Sequence, residues 1–278
     1  MQWLLDYELW FRLSFFIGLL ALFIGLEQAR PKRALSRKLS SRWLSNGLVI
    51  SIDTIILRLL FPTAAVGVAL WAQQYGHGLL NWLTVPGWLA ILLAFVILDF
   101  AIWAQHLVFH RIPWLWRVHR MHHTDIDVDV TTALRFHPIE MVLSLLIKMA
   151  VIVLIGAPVV AVVLFEVVLN GVAMFNHSNI RLGAKTDRVL RYFIVTPDMH
   201  RVHHSWHKHE TNSNYGFNLP WWDRLFATYR DQPEDGHDSM TLGINQFREP
   251  EDNRIHYILW QPFRGSARSA STRPSKPD

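Results

Sequence analysis

Histidine carries most of the potential chemistry in this sequence: 15 occur in 278 residues, and 12 of them fall between positions 106 and 209. His106 and His110 are spaced i, i+4, so on a helix both rings leave one face a turn apart and can grip one metal. His119, His122 and His123 form an H-x-x-H-H pattern, and His200, His203 and His204 repeat it further along. Neutral imidazole is the commonest side-chain ligand of first-row transition metals, and its lone pair is available at neutral pH. Eight such residues exceed one ion's need, since a structural zinc takes roughly four ligands and a catalytic zinc about three plus water. The count therefore points to a dinuclear site with coordination positions left for oxygen.

A single i, i+4 pair fits packing or hydrogen bonding equally well. Two H-x-x-H-H groups beside it do not, because histidine is not favoured in helices for its own sake. The fixed spacings within amphipathic sequence also argue against a low-complexity metal buffer. His177, in Phe175-Asn176-His177-Ser178-Asn179, is expected to join the ligands; its alternative is a hydrogen-bonded helix end. His137, in Arg135-Phe136-His137-Pro138, leaves direct ligation and a supporting hydrogen bond equally open. His207 and His209 follow the third group beside Lys208 and Glu210 and read as solvated or supporting. His77, His237 and His256 are isolated and carry no functional expectation.

Composition narrows the setting. The chain is 51% hydrophobic and 18% charged, with 13 Trp, 16 Phe and 6 Tyr, a balance that fits a protein meeting a bilayer interface. There is no Cys, which excludes disulfide scaffolds, thiolate zinc sites, Cys-ligated iron–sulfur clusters and Cys nucleophiles. The net charge of +5 does not indicate nucleic acid, because the basic residues flank apolar runs instead of clustering on a soluble surface.

These histidines must be positioned by membrane helices. Leu9 to Leu26 is long enough to cross a bilayer, and Asp6 and Glu8 before it are unlike the basic start of a cleaved signal peptide. Arg30, Lys32, Arg33, Arg37, Lys38 and Arg42 then assign the following loop to the cytoplasm and the N-terminus to the outside. Gly47 to Ala72 forms a second run, kinked by Pro62, with Asp53 and Arg58 expected to face other helices or the interface. Gly87 to Ala104 returns the chain toward His106. Ile139 to Phe175 reads as a helical hairpin divided by Gly156-Ala157-Pro158, with Lys148 awkwardly inside its first arm. The expected fold is all-α: a polytopic bundle of about three full spans plus the hairpin, capped on the cytoplasmic side by helices bearing the metal site. Residues 1–263 form one membrane domain, and 264–278, rich in Ser, Arg and Pro, form a disordered tail.

The three histidine boxes, in this order and at the cytoplasmic ends of helices, resemble those of the fatty acid hydroxylase and sterol desaturase superfamily of integral membrane di-iron enzymes. The resemblance runs from about residue 90 to 230. It extends to the strings His122-His123-Thr124-Asp125, Arg135-Phe136-His137-Pro138-Ile139-Glu140 and Asn214-Tyr215-Gly216 through Trp222-Asp223 and Tyr229, which are similar to a bacterial sterol desaturase-like branch. It implies two non-haem irons held by His106, His110, His119, His122, His123, His200, His203 and His204, with His177 added. It also implies molecular oxygen as co-substrate and oxidation of a lipid C–H bond, by hydroxylation or desaturation, of an acyl chain, sterol or sphingolipid. Because no fused haem-binding donor domain is expected, electrons come from a separate ferredoxin-like or haem-protein and reductase system. The setting implied is a bacterial inner membrane.

Asp125, Asp127 and Glu210 are candidates for accepting the remaining N–H of ligand imidazoles. Trp114, Trp116, Trp221 and Trp222 read as interface anchors, with a substrate channel as their alternative. A zinc-dependent membrane hydrolase acting on an ester or amide is the competing enzyme class, although it leaves histidines in excess, and zinc could also replace iron during purification. A non-enzymatic metal carrier would spread its ligands along a path through the membrane. A haem protein would use only one or two of these histidines per haem.

Overall fold

The computed structural model describes residues 7–265. Asp6 and most of the tail expected to be disordered, residues 266–278, lie outside the described residues. Among the described residues there is no strand, only the isolated bridges Pro31 to Ile180 and Ser205 to Leu242. Five segments are long and apolar enough to cross a membrane, so the chain is a multi-pass helical membrane protein.

Helix α1 (Glu8–Ala29) is largely apolar and packs one side on α7. The second run breaks outright where a kink is expected. Helix α2 (Leu39–Leu60) ends at Phe61, and α3 (Ala64–Gln74) starts afresh. The reason is Pro62, which lacks an N–H for the helical ladder and disfavours helical geometry at the residue before it. Helix α4 (Gly87–Arg111) runs without interruption past Ala104, so His106 and His110 occupy its last two turns.

Next come α5 (Pro113–His123), α6 (Pro138–Ile155) and α7 (Val159–His177). The hairpin between α6 and α7 turns at Gly156, whose φ of 65° is the left-handed cap that glycine adopts without a Cβ penalty. Space requires glycine there too, since a Cβ on Gly156 would sit 2.7 Å from the His77 carbonyl oxygen. Alanines make the central helix contacts close: Ala65 and Ala69 of α3, Ala94 of α4 and Ala161 of α7 are fully buried with Ile152 and Phe165.

Three charges within the spans pair with one another. Glu166 of α7 accepts from both Arg12 of α1 and Lys148 of α6, which resolves the awkward placement of Lys148. Arg58 lies in the last, exposed turn of α2. The rest of the chain forms a cap of short segments, including α8 (Ala184–Leu190) and α9 (Pro197–His203). The basic loop after α1 packs on this cap: Lys32 pairs with Asp198, and Arg33 donates to the carbonyls of His237 and Met240.

Candidate metal centre

Four elements converge on one buried spot. His106 and His110 come from the end of α4, His119, His122 and His123 from the end of α5, His177 from the last residue of α7, and His200 and His203 from α9 with His204 capping it. Pro113 and Pro197 each open their helix at its first turn, where the missing N–H costs nothing, and the helix then carries its histidines inward at i, i+3 and i+4. All nine rings are at most 9% exposed.

The nine divide into two adjoining groups. His106, His110, His119, His123 and His203 make one, and His122, His177, His200 and His204 the other; within each, the ligand atoms lie within 4.8 Å of one another. The groups share a wall, with the His123 and His204 rings stacked at 4.7 Å.

The hydrogen bonds reveal the tautomers. Nδ1 of His106, His177 and His203 donates to the carbonyls of Tyr215, Ala173 and Ser213 at 2.7–2.8 Å, and Nδ1 of His122 to that of Arg135 at 3.2 Å. Nδ1 of His119 donates to the Glu140 carboxylate at 2.6 Å. With the proton on Nδ1, each neutral ring presents a bare lone pair at Nε2. Yet Nε2 of His106 stands 3.1 Å from Nε2 of His119, and Nε2 of His122 stands 3.0 Å from Nε2 of His177. Two lone pairs repel at that distance, and two N–H groups would as well. A cation between them removes the conflict. A metal–imidazole bond of roughly 2.1 Å places two ligand nitrogens about 3.0 Å apart at right angles and about 3.4 Å apart at the tetrahedral angle. The five closest Nε2 pairs in the two groups are 2.9 to 3.3 Å apart, so the donor set fits one first-row metal ion per group.

The electrostatics agree. Burial, reinforced by the neighbouring imidazoles, pushes His122, His123, His200, His203 and His204 well below the usual histidine range. They are therefore neutral and ready to ligate near pH 7.

The candidate supporting residues are placed differently from the sequence expectation. Among the described residues, no hydrogen bond joins Asp125, Asp127 or Glu210 to any of the nine imidazoles. Asp125 instead meets the buried Arg42 guanidinium at 2.8 Å and accepts from Thr132. Burial alone would raise its pKa, but Arg42 and Arg135 hold it at about 2. Asp127 accepts from the backbone of Ser36 and Arg37 and from the Ser36 hydroxyl, and Glu210 accepts from the backbone N–H of Glu234. Asp125 and Asp127 pin the cap to α2 and to the basic loop, and Glu210 braces the cap internally. His137 caps α6 by accepting from the Ile139 N–H at 3.1 Å, while its Nε2 donates to the Leu259 carbonyl. His207 pairs with Asp235 at 2.9 Å outside the cluster.

The acid that does hold an imidazole is Glu140, which sequence reasoning assigned no role. Its signal was available: the one acid of α6, in its first turn just after Pro138. A second organiser is Asp223. It accepts from the backbone N–H groups of Tyr215 and Gly216, from Trp103 and from Thr228, and so fixes the loop whose Tyr215 carbonyl orients His106. Gly216 is required by space, because a Cβ there would lie 2.9 Å from an Asp223 carboxylate oxygen. Of the four tryptophans, Trp114 and Trp221 are exposed, as anchors would be. Trp116 packs on His110 with ring centroids 4.9 Å apart, and Trp222 donates to Asp99.

On its membrane side the cluster opens into a cavity of about 220 Å³. His106 and His119 form its upper end, and Phe109, Leu145, Leu169 and Phe217 supply much of its apolar wall.

Comparison with known proteins finds a family match over the histidine-bearing region. The fatty acid hydroxylase family model matches residues 91–228. The chain is 30% identical over 186 residues to an ornithine lipid hydroxylase of Rhizobium tropici, covering 66% of this chain and 54% of that protein. It is 26% identical over 254 residues to the alkylglycerol monooxygenase of Homo sapiens, covering 90% and 54%. It is 25% identical over 142 residues to the cholesterol 25-hydroxylase of Homo sapiens, covering 50% and 51%. The chain thus spans about half the length of these relatives. No solved structure matches it significantly. Residues 91–228, which carry all nine clustered histidines, form a fatty acid hydroxylase domain.

Proposed function

We propose that this protein is a membrane-bound non-haem di-iron oxygenase that hydroxylates, or desaturates, a C–H bond of a lipid, using molecular oxygen and electrons from a separate donor protein. One observation carries the reading: two adjoining groups of five and four buried imidazoles, with bare Nε2 atoms at metal-bridging separations, sit directly above an apolar cavity at membrane depth. The relatives' printed names, hydroxylases or a monooxygenase of ornithine lipid, alkylglycerol and cholesterol, support lipid hydroxylation as the reaction class.

His106, His110, His119, His123 and His203 would hold one iron, and His122, His177, His200 and His204 the other. When bound, the pair supplies activation of oxygen for attack on an unactivated C–H bond. The protein's own contribution is positional. Carbonyls of Tyr215, Ala173, Ser213 and Arg135 keep the Nδ1 protons, which aims the lone pairs inward. Glu140 does the same for His119 with a charged acceptor, which raises that ring's basicity. The apolar cavity lets a lipid chain approach His106 and His119 from the bilayer while excluding water.

The cluster and the basic loop of residues 30–42 lie on the same side of the bundle, so the positive-inside rule puts both on the cytoplasmic side and the start of α1 outside. In a bacterium that membrane is the inner one. The deciding measurement is metal content and oxygen incorporation on the purified, lipid-reconstituted chain. About two irons per chain, and label from ¹⁸O₂ in a lipid product that His122→Ala fails to make, is the expected result. One zinc and no iron after iron-replete expression would overturn it in favour of a membrane zinc hydrolase.

A further inference from the structure

The cavity below the histidines is not purely apolar, and it holds buried oxygens with no hydrogen-bond partner among the described residues. Asp53 of α2 lines it at 1% exposure, and neither of its carboxylate oxygens has a hydrogen-bond partner among the described residues. The same holds for Oε2 of Glu140 and for Oε1 of Gln105, whose amide nitrogen is committed to the Ser144 hydroxyl at 2.6 Å. All four atoms can accept a hydrogen bond. Among the described residues, the one Lys or Arg lining the cavity, Lys148, is held by Glu166.

Their placement is ordered. Glu140, Ser144 and Lys148 recur at i, i+4 and i+8 on α6 and line the cavity from the histidines downward. Asp53 faces that helix from α2, one element removed from the metal groups. A buried acid at membrane depth with no partner is costly, and such groups mark binding sites for a complementary ligand. Among the described residues, the buried charge pairs of the cap and the spans use Arg42, Asp125, Arg12 and Glu166 and do not include Asp53.

We propose that Asp53 is the specificity-determining residue of a polar subsite within the lipid cavity, and that it accepts a hydrogen bond from a donor group on the substrate, a hydroxyl or an ammonium. The substrate is then an amphiphile carrying such a donor close to the carbon presented to the histidines, not a hydrocarbon chain without one. Ester and ether oxygens, which only accept, can satisfy fewer of these atoms than a hydroxyl or an ammonium, which donates. This inference rests on reading the cavity as the lipid site.

The test is binding, measured without turnover on the full chain in nanodiscs, with four radiolabelled probes of equal chain length: hexadecanol, hexadecylamine, hexadecyl methyl ether and hexadecane. We expect hexadecanol or hexadecylamine to bind the unaltered protein at least tenfold more tightly than the ether and the alkane. Asp53→Leu should erase that preference. Asp53→Asn, which keeps the shape and one carbonyl acceptor, should retain the alcohol's preference and lose the amine's. If the amine is preferred over the alcohol, the donor is an ammonium; the reverse order identifies a hydroxyl. Leu145→Trp, which fills the cavity from its apolar wall, should abolish binding of every probe. Equal binding of alcohol and ether to the unaltered protein, or a preference that survives both Asp53 variants, would overturn the proposal. Chains holding no iron that still show the Asp53-dependent preference would refute the oxygenase reading and leave this subsite standing. Chains holding two irons with no preference would do the opposite.

Discussion

Glu140 and His119 are joined by a hydrogen bond of 2.6 Å from Nδ1 to the carboxylate, while Nε2 of the same ring stands 3.1 and 3.2 Å from those of His106 and His123. One acid on α6 thus sets the aim of a ring on α5 at the heart of the five-histidine group. Replacing Glu140 by Gln preserves the shape but removes the charge that strengthens the ligand. Such supporting changes typically weaken metal affinity by about 10- to 100-fold. Metal titration of the reconstituted protein should show one of the two bound ions weakened by that factor and the other unchanged.

The two groups differ in size, which predicts unequal tolerance. His123→Ala leaves four imidazoles in its group, the number of a complete structural site; His200→Ala leaves only three. Elemental analysis after purification should find His200→Ala near one metal per chain and His123→Ala closer to two. Similar losses in both variants would contradict a division into two independent groups.

Arg42 lies fully buried between Asp125 and Asp129, so removing it strands two carboxylates. Breaking a buried charge set in this way commonly costs about 3–5 kcal/mol. Arg42→Met should lower thermal stability sharply in detergent, and Arg42→Lys should recover only part of it, because lysine lacks the planar fork that meets both acids. A melt of Arg42→Met within a degree or two of the parent would rule out this role.

Stripping the metals should make stability depend on pH. In the folded chain His122, His123, His200, His203 and His204 titrate well below the ordinary histidine value, because they are buried among one another. The unfolded chain binds protons near pH 6.5 and the folded chain does not, so protons favour unfolding. The stabilisation is present above about pH 6.5 and is lost as pH falls below it. Chelator-treated protein should therefore melt at progressively lower temperature from about pH 7 to pH 5, and metal-loaded protein should resist the change until protons displace the ions. Parallel melting curves at each pH, with and without chelator, provide the check.

Local chemistry determined much of this protein from the chain alone. Apolar run length marked the spans, Gly156-Ala157-Pro158 marked the hairpin turn, and i, i+3, i+4 spacing put the histidines on helix faces, because each depends only on residues near in sequence. The partition into five and four was not legible, since it mixes rings from α4, α5, α7 and α9 and splits the adjacent pairs His122 with His123 and His203 with His204. Nor were the acids. Asp125, Asp127 and Glu210 stand near histidines in the chain, yet Asp125 turns to Arg42, 83 residues away, while Glu140, 21 residues from His119, supports the ring. A carboxylate goes to whichever donor the packed helices bring to it, and only tertiary structure decides which one arrives.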